Sequence, residues 1–289
     1  MEFDIPDHFF DMAVALVVIA TIGYLLWPPS AAARRRQAQT WARRNLVPPD
    51  PDVLMAAEAA FARRRRPIAI ASTLLIAACA AAVALNGGLE QAQWAPWLAA
   101  VAIGIIAAMV TAWEFRSPWL PPGSSRIAHL RPVTVNDYVP PLTRWGGWLA
   151  GGLCTLGLVV AAPTMTTMAL AAPAAAVVAA AIISEWAARS VTRTPQPASN
   201  PLQLYAQDTW RSQSATFCYQ GLALAGGMAL QLLSRDGGLS RAIGTGLMFA
   251  GVGLTAVAVI GYLRALDGQP WTRRRLWPSL RPGEWVSAA

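Results

Sequence analysis

Long apolar runs, separated by polar or arginine-rich segments, dominate the hydrophobic pattern of the chain. A helix needs about 20 apolar residues, each rising about 1.5 Å, to cross the hydrocarbon layer of a membrane. Seven stretches of the sequence satisfy this requirement. The pattern therefore predicts an all-α, polytopic membrane helix bundle with about seven transmembrane helices, at approximately 9–27, 67–86, 94–113, 145–163, 168–187, 215–233 and 244–263.

The composition agrees with this pattern. Hydrophobic residues make up 55% of the chain and charged residues only 13%, about half the charged share of an ordinary globular domain. Tryptophans lie at the ends of the predicted spans, as at Trp113, Trp145 and Trp186, which is where indole rings meet the headgroup layer. One span followed by three hairpins is a common layout in bacteria. We therefore expect a multi-pass protein of the bacterial cytoplasmic membrane.

The distribution of arginine predicts the orientation. All 23 basic residues are arginine, and only Arg235 and Arg241 fall on one of the two sides. The remaining arginines lie in the segments that the positive-inside rule assigns to the cytoplasm. The amino terminus should then lie outside and the carboxyl terminus inside, with cytoplasmic loops at 28–66, 114–144 and 188–214 and a cytoplasmic tail at 264–289.

The run Arg63–Arg66 stands directly before the second predicted span, where Pro67 suits the first position of a helix. The run lacks the interleaved aromatic and polar side chains of a nucleic-acid surface, so no nucleic-acid partner is expected. Anionic lipid headgroups are the expected partners instead. The predicted topology and headgroup anchors are Arg63, Arg64, Arg65, Arg66, Arg273, Arg274 and Arg275.

The predicted inner segments differ in their helical signals. Ser30 and Asn200 are candidate caps of helices over 30–45 and from Pro201 onward, the latter continuing into the sixth span. A helix over 49–66 would present Leu54, Ala57 and Phe61 on one face, toward headgroups or a partner. The proline-rich segment 117–144 has no helical period, which predicts an extended connector. Tryptophans among the arginines of 269–285 predict a tail lying on the membrane surface.

Polar residues in the predicted spans are few. Gln213, Thr216, Gln220 and Gln231 share one stripe of the sixth span, together with Gly227. Such a stripe must face protein or water, so interhelical hydrogen bonds and a polar translocation path are both open. The interfacial carboxylates Glu114 and Glu185 are expected to pair with Arg116 or Arg189. Close helix packing is expected at glycines, namely Gly147, Gly151, Gly246, Gly251 and Gly253.

The chain lacks the residues that several kinds of catalytic or cofactor chemistry require. Without lysine the chain has neither a P-loop nor a Schiff base. The histidines, His8 and His129, both fall outside the spans, so a bis-histidine haem has no ligands there. Cys79, Cys154 and Cys218 stand alone in apolar runs, which indicates buried thiols. No catalytic, cofactor-binding or metal site is therefore expected.

The expected function is an accessory or scaffold subunit of a membrane machinery for transport, secretion or DNA transfer. Its long inner loops and small outer surface favour contact with a cytoplasmic or membrane protein partner. The first alternative is a small permease with a polar path along the sixth span. The second is a lipid-modifying membrane enzyme using Glu114, His129 or Asp137 at the inner interface.

Overall fold

The computed structural model describes residues 30–85, 105–106, 108–114, 132–161, 167–194, 198, 200–234, 239–266 and 270–278. The predicted first span, most of the third, and the residues Arg116 and His129 lie outside this part of the chain. Within the described ranges the protein is all-helical and contains no strand. This confirms the all-α class.

Eight helices are described from end to end, and residues 108–114 are helical as well. In chain order they are α1 (Ala31–Arg44), α2 (Pro51–Leu85), α3 (Val135–Tyr138), α4 (Pro141–Ala161), α5 (Thr167–Arg193), α6 (Pro201–Leu233), α7 (Arg241–Leu266) and α8 (Pro270–Leu276).

Three helices begin at side chains that accept bonds from free backbone N–H groups. The Ser30 hydroxyl accepts from Ala33 N at 3.2 Å, and Asn200 Oδ1 accepts from Gln203 N at 2.8 Å. Asp50 Oδ1 accepts from Val53 N at 3.0 Å. Each bond satisfies a donor that has no partner inside its own helix. The predicted caps at Ser30 and Asn200 are confirmed.

The start of the predicted second span differs from the expectation. Pro67 is not the first residue of a helix, because α2 runs without a break for 35 residues from Pro51. Proline removes only one backbone bond and is tolerated where neighbouring packing holds the helix on both sides. The Arg63–Arg66 run therefore lies inside a helix. One helical turn, α3, likewise interrupts the segment 117–144, for which the sequence predicts no helix.

α6 is the central element, with α4, α5 and α7 packed along its length. It meets α7 at two glycines: a Cβ added to Gly251 would lie 2.6 Å from the carbonyl oxygen of Gly227. A Cβ on Gly147 of α4 would lie 3.1 Å from the carbonyl oxygen of Tyr219. Small residues thus allow the backbones to approach closely. At Gly151, Gly246 and Gly253 no atom of the described residues lies within 4 Å of an added Cβ, so close packing there stays a prediction.

A second layer of structure is assembled around the first half of α6. We call this layer the platform; it consists of α1, residues 51–66 of α2, residues 132–140, residues 201–214 of α6, and α8. Its core contains edge-to-face aromatic pairs, with the Trp210 ring 5.4 Å from Trp41 and 4.9 Å from Phe61. Tyr205 and Trp277 form another pair at 5.6 Å. The helices predicted within the segments 28–66 and 188–214 are present.

The helices beyond the platform expose apolar side chains. Leu149 of α4, Ile182 of α5 and Phe249 of α7 are 60%, 64% and 72% exposed. In the described part of the chain, one helical stretch, Arg241–Gly261, is long and apolar enough to cross a membrane, with a mean hydropathy of 2.0. This criterion considers only the length and the composition of a helix, and one such helix is weak evidence for a membrane location.

Candidate functional site

Buried polar side chains are concentrated on the first half of α6. Burying such groups is unfavourable unless each finds a hydrogen-bond partner. This half of α6 therefore requires neighbours that bring complementary polar groups, and the platform supplies them. The buried residues are Gln207, Asp208, Thr209, Arg211, Ser212, Gln213, Ser214 and Thr216.

Asp208 is the centre of the first group of contacts and is fully buried. Its Oδ1 accepts a bond from the Tyr138 hydroxyl at 2.8 Å, and its Oδ2 accepts from Trp277 Nε1 at 3.0 Å. Arg211, one turn later on α6, lies 3.7 Å away and compensates the negative charge. Burial raises the pKa of the Tyr138 phenol, and the charge of Asp208 raises it further, while Arg211 opposes the shift. The phenol thus remains neutral and acts as a donor.

The tail helix α8 lies on this group of contacts. The buried Thr272 hydroxyl bonds Ser212 Oγ at 2.5 Å and the Tyr138 carbonyl at 3.2 Å. Trp271 Nε1 donates to the Asn136 carbonyl at 2.9 Å. Two tryptophans expected at a membrane surface, Trp271 and Trp277, therefore bond to the chain itself. The aligned polar groups of α6 account for this position, because they require partners that lipid tails do not provide.

The Arg64 side chain is largely buried, whereas a headgroup anchor was expected to reach the surface. Its guanidinium group pairs with Glu114, donates to Ser214 Oγ at 2.6 Å, and lies 4.4 Å from the Trp210 ring centroid. These contacts turn the side chain into the interior of the platform. Arg63 is exposed and Arg65 is half-buried on the same helix, and for them the headgroup role stays a prediction.

The arginines of α8 have contacts of their own. Arg275 lies 3.8 Å from Asp137 Oδ1 and 5.5 Å from the Trp271 ring centroid. Arg274 is exposed, and its Nε bonds to the Pro270 carbonyl of the same helix at 3.4 Å. Arg273 is half-buried near Tyr205. A headgroup contact of these three residues stays a prediction too.

Glu185 connects three helices. Its Oε1 accepts from Arg144 of α4 at 2.9 Å and from Arg189 of α5 at 2.7 Å. Its Oε2 accepts from the Tyr219 hydroxyl of α6 at 2.5 Å. The expected pairing with Arg189 is present. Since one carboxylate satisfies donors from α4, α5 and α6, the arrangement fixes their relative positions.

The polar stripe of α6 divides into bonded ends and an unbonded middle. Gln213 Oε1 accepts from Trp41 Nε1 at 3.0 Å, and Gln231 Nε2 donates to Thr255 Oγ1 of α7 at 3.0 Å. The Thr216 hydroxyl and both polar atoms of the Gln220 amide are buried and have no hydrogen-bond partner among the residues that the structure describes. Gln220 faces Gly261 of α7, where an added Cβ would lie 3.1 Å from its Nε2. Both interpretations of the stripe thus keep a structural basis.

Both carboxylates named for the lipid-modifying alternative lie in the described part of the chain. Glu114 is bonded to Arg64, whereas Asp137 accepts from the Thr134 backbone N–H at 2.9 Å and caps α3. The two carboxylates thus have separate structural partners. In the part of the chain that the structure describes, no group of three or more His, Cys, Asp or Glu residues could hold a metal ion.

Tyr138, Asp208 and Arg211 form a central group that reasoning from the sequence missed. A signal was available in the nearly continuous polar run from Gln207 to Ser214, which only Trp210 interrupts. In a helix, such a run places polar groups on every face, including the faces that must be buried. The partner Tyr138 could not be identified in this way, because it lies 70 positions away in a segment without helical period.

Comparisons of the chain with models of known protein families, with curated proteins and with solved structures give no match. The functional argument therefore rests on the residues and contacts described above.

Proposed function

We propose that the protein is a polytopic helical protein of the bacterial cytoplasmic membrane, with about seven spans, an outer amino terminus and an inner carboxyl terminus. One observation supports this proposal above all. Helices α4, α5 and α7 turn large apolar side chains such as Leu149, Ile182 and Phe249 outward, and glycines let the backbones of α4 and α7 approach α6 closely. A water-soluble domain has the opposite distribution, but lipid tails solvate such a surface without penalty.

Within that membrane, the proposed role is an accessory or scaffold subunit whose platform contacts another protein. α2 and α6 each continue without interruption from the platform into a predicted span. Ion pairs and buried hydrogen bonds hold the other platform elements to these two helices. A surface held in one arrangement loses little conformational entropy on binding, which suits a docking surface for a partner subunit.

A permease is the second candidate, because Thr216 and Gln220 carry buried polar atoms that have no hydrogen-bond partner among the described residues. A polar solute crossing the bundle could bond to them. The lipid-modifying enzyme has weaker support, since Glu114 and Asp137 are engaged in separate structural contacts. If a variant with Glu114, Asp137 and His129 all replaced by alanine kept normal cellular function, this enzyme would be eliminated.

Substitution of the stripe separates a scaffold from a permease. The variants Gln220→Leu and Gln231→Leu are compared for stability in detergent and for solute flux in proteoliposomes. A scaffold predicts no specific flux in the parent protein, and a loss of stability only for Gln231→Leu, which breaks the bond to Thr255. Flux in the parent that Gln220→Leu abolishes in a folded protein would replace the scaffold with the permease.

The platform is tested by recovery of partners after purification in a mild detergent. Asp208→Asn disturbs the platform, whereas Gln220→Leu alters α6 away from it. Proteins recovered with the parent and with Gln220→Leu, but not with Asp208→Asn, would support the scaffold. Equal recovery with all three forms would contradict it, provided that Asp208→Asn has lost the Trp277 contact.

A further inference from the structure

We infer that the outer face of α1, together with Leu46, binds an acidic amphipathic helix of a cytoplasmic partner protein. This inference rests on the proposed orientation and specifies the chemistry of the partner. Three features of the platform support it: guanidinium groups that have no acidic partner among the described residues, an exposed leucine in a strained conformation, and the height of α1 above the predicted membrane boundary.

The charge of the platform is uneven because its acidic side chains face inward. Among the described residues, every Asp and Glu except Asp52 accepts a bond within the protein, as Glu58 does from Arg34 at 3.3 Å. Arg36 and Arg43 are exposed on α1 and have no acidic partner in the described ranges. The platform therefore presents positive charge that a partner can neutralise.

The spacing of these two arginines matches a helix. Ala38, Trp41 and Ala42 bury one side of α1, so Arg36 and Arg43 lie on the opposite side. They are seven residues apart, which is two turns and about 10 Å along the axis. A partner helix with two carboxylates seven residues apart on one face would place each beside one guanidinium group.

Leu46 supplies an apolar contact at the end of this face. It follows α1 with a φ of 56°, the left-handed region in which the chain shows no other non-glycine residue within the described ranges. The bond from Val47 N to the Ala42 carbonyl at 2.9 Å closes the helix around it, in the place that glycine usually occupies. The side chain is nevertheless 42% exposed. A strained, exposed leucine beside arginines is better explained by binding than by stability.

The height of α1 above the predicted membrane boundary favours a protein over lipid headgroups as the binding partner of this face. Near the start of α1, Arg34 pairs with Glu58, which lies about 13 Å along α2 from the predicted boundary at residue 67. Just after its end, the Asn45 carbonyl accepts from Tyr205, about 15 Å along α6 from residue 215. The headgroup layer extends only about 5–8 Å beyond the hydrocarbon. Both ends of α1 thus lie above the headgroups, so a protein is the favoured source of the carboxylates.

The test measures binding of a fluorescent peptide to the full-length protein in nanodiscs of neutral lipid. The probe is a synthetic amphipathic helix of about 20 residues, with two glutamates seven positions apart and a leucine one turn beyond. In a control peptide of the same composition, one glutamate is moved to the opposite face. We expect the first peptide to bind more tightly, by roughly 1.5-fold to fivefold for the one ion pair that the control lacks, and to lose that advantage at high salt.

Variants of the protein then locate the surface. The double variant R36Q/R43Q should weaken binding of the first peptide by a similar factor, while R193Q, an exposed arginine on α5, should not. Leu46→Gly should weaken binding without lowering the midpoint of unfolding, because glycine relieves the left-handed conformation. Equal binding of both peptides, equal effects of R193Q, or tighter binding of duplex DNA than of the first peptide would each overturn the inference.

A labelling experiment distinguishes failure of this inference from failure of the proposed function. Arg36→Cys is introduced into a chain whose three natural cysteines are serine and is treated with a membrane-impermeant maleimide. The proposed orientation predicts labelling in inverted vesicles and none in intact spheroplasts. Labelling from outside would reject the orientation itself. Inside labelling without selective peptide binding would reject only the docking surface.

Discussion

The indole N–H of Trp41 on α1 donates a hydrogen bond of 3.0 Å to Oε1 of Gln213 on α6, 172 positions later in the chain. Gln213 belongs to the polar stripe of the sixth predicted span, and Trp41 lies in a segment predicted as a loop. The bond therefore holds α1 to α6 at the edge of the platform, just before α6 continues into the bundle.

Loss of the indole donor should destabilise the protein. In Trp41→Phe the Gln213 amide oxygen remains buried without a donor, which we expect to lower the free energy of unfolding by about 1–3 kcal/mol in addition to the lost packing. Titration with SDS from a mild detergent measures this value. In the double variant with Gln213→Leu, part of the loss should be recovered because no polar group remains unpaired. Strict additivity of the two changes would show that the bond contributes nothing.

Asp208→Asn should release the tail helix. The substitution weakens the bonds to Tyr138 and Trp277 and leaves Arg211 buried without its counter-charge. Breaking one partner of a buried pair destabilises by about 3–5 kcal/mol. Trypsin cleavage near Arg273–Arg275 measures the release and should become faster. Asp52→Asn, an exposed change in the first turn of α2, is the control and should alter stability by less than about 1 kcal/mol.

The crossing of α6 and α7 should not tolerate a methyl group. In Gly251→Ala the new Cβ would lie 2.6 Å from the Gly227 carbonyl oxygen and 2.8 Å from Gln231 Cγ, and we expect destabilisation of about 1–3 kcal/mol. In Gly253→Ala, two residues along the same helix, the new Cβ meets no atom of the described residues within 4 Å. It should be neutral or stabilising by up to about 1 kcal/mol. Equal effects of the two substitutions on unfolding would contradict this packing.

Stability should fall in alkaline solution through the buried phenols. Burial raises the pKa of Tyr138, and also that of Tyr205, so the folded protein keeps them neutral at a pH where an unfolded tyrosine ionises, near about 10. Their contribution is complete below that pH and is lost as the pH rises through the folded-state values. Tyr138→Phe should therefore reduce the slope of the unfolding free energy against pH above about 10. An unchanged pH profile in this variant would contradict the role of Tyr138.

Local sequence signals predicted the helix starts well. Ser30 and Asn200 are caps because their side chains satisfy the backbone donors of the first turn, a requirement that depends on neighbours along the chain alone. The same local reasoning misplaced the start at Pro67, since it cannot weigh the packing of Val53, Ala57 and Ala60 that holds the preceding helix in place. Propensity at one residue is easily outweighed by tertiary contacts.

In the tail, too, sequence composition could not predict the tertiary contacts. Arginine and tryptophan in 269–285 are typical of a membrane-surface segment, yet Thr272 and Trp277 bond to Ser212 and Asp208. Composition describes which environments a segment suits, and both a headgroup layer and a polar groove suit this one. The position of α6 beside the tail provides the partners of Thr272 and Trp277, and composition alone does not identify them.

By itself, the sequence determined the helical class, the caps, the alternation of apolar and arginine-rich segments and the stripe on α6. All of these depend on spacing along one helix or on composition. Tertiary structure alone decided that Arg64 points inward while Arg36 and Arg43 point outward, and that Asp208 gathers Tyr138 and Trp277. A guanidinium group has the same preferences at every position. Its environment depends on which carboxylates and rings the folded chain brings beside it, and that information is long-range.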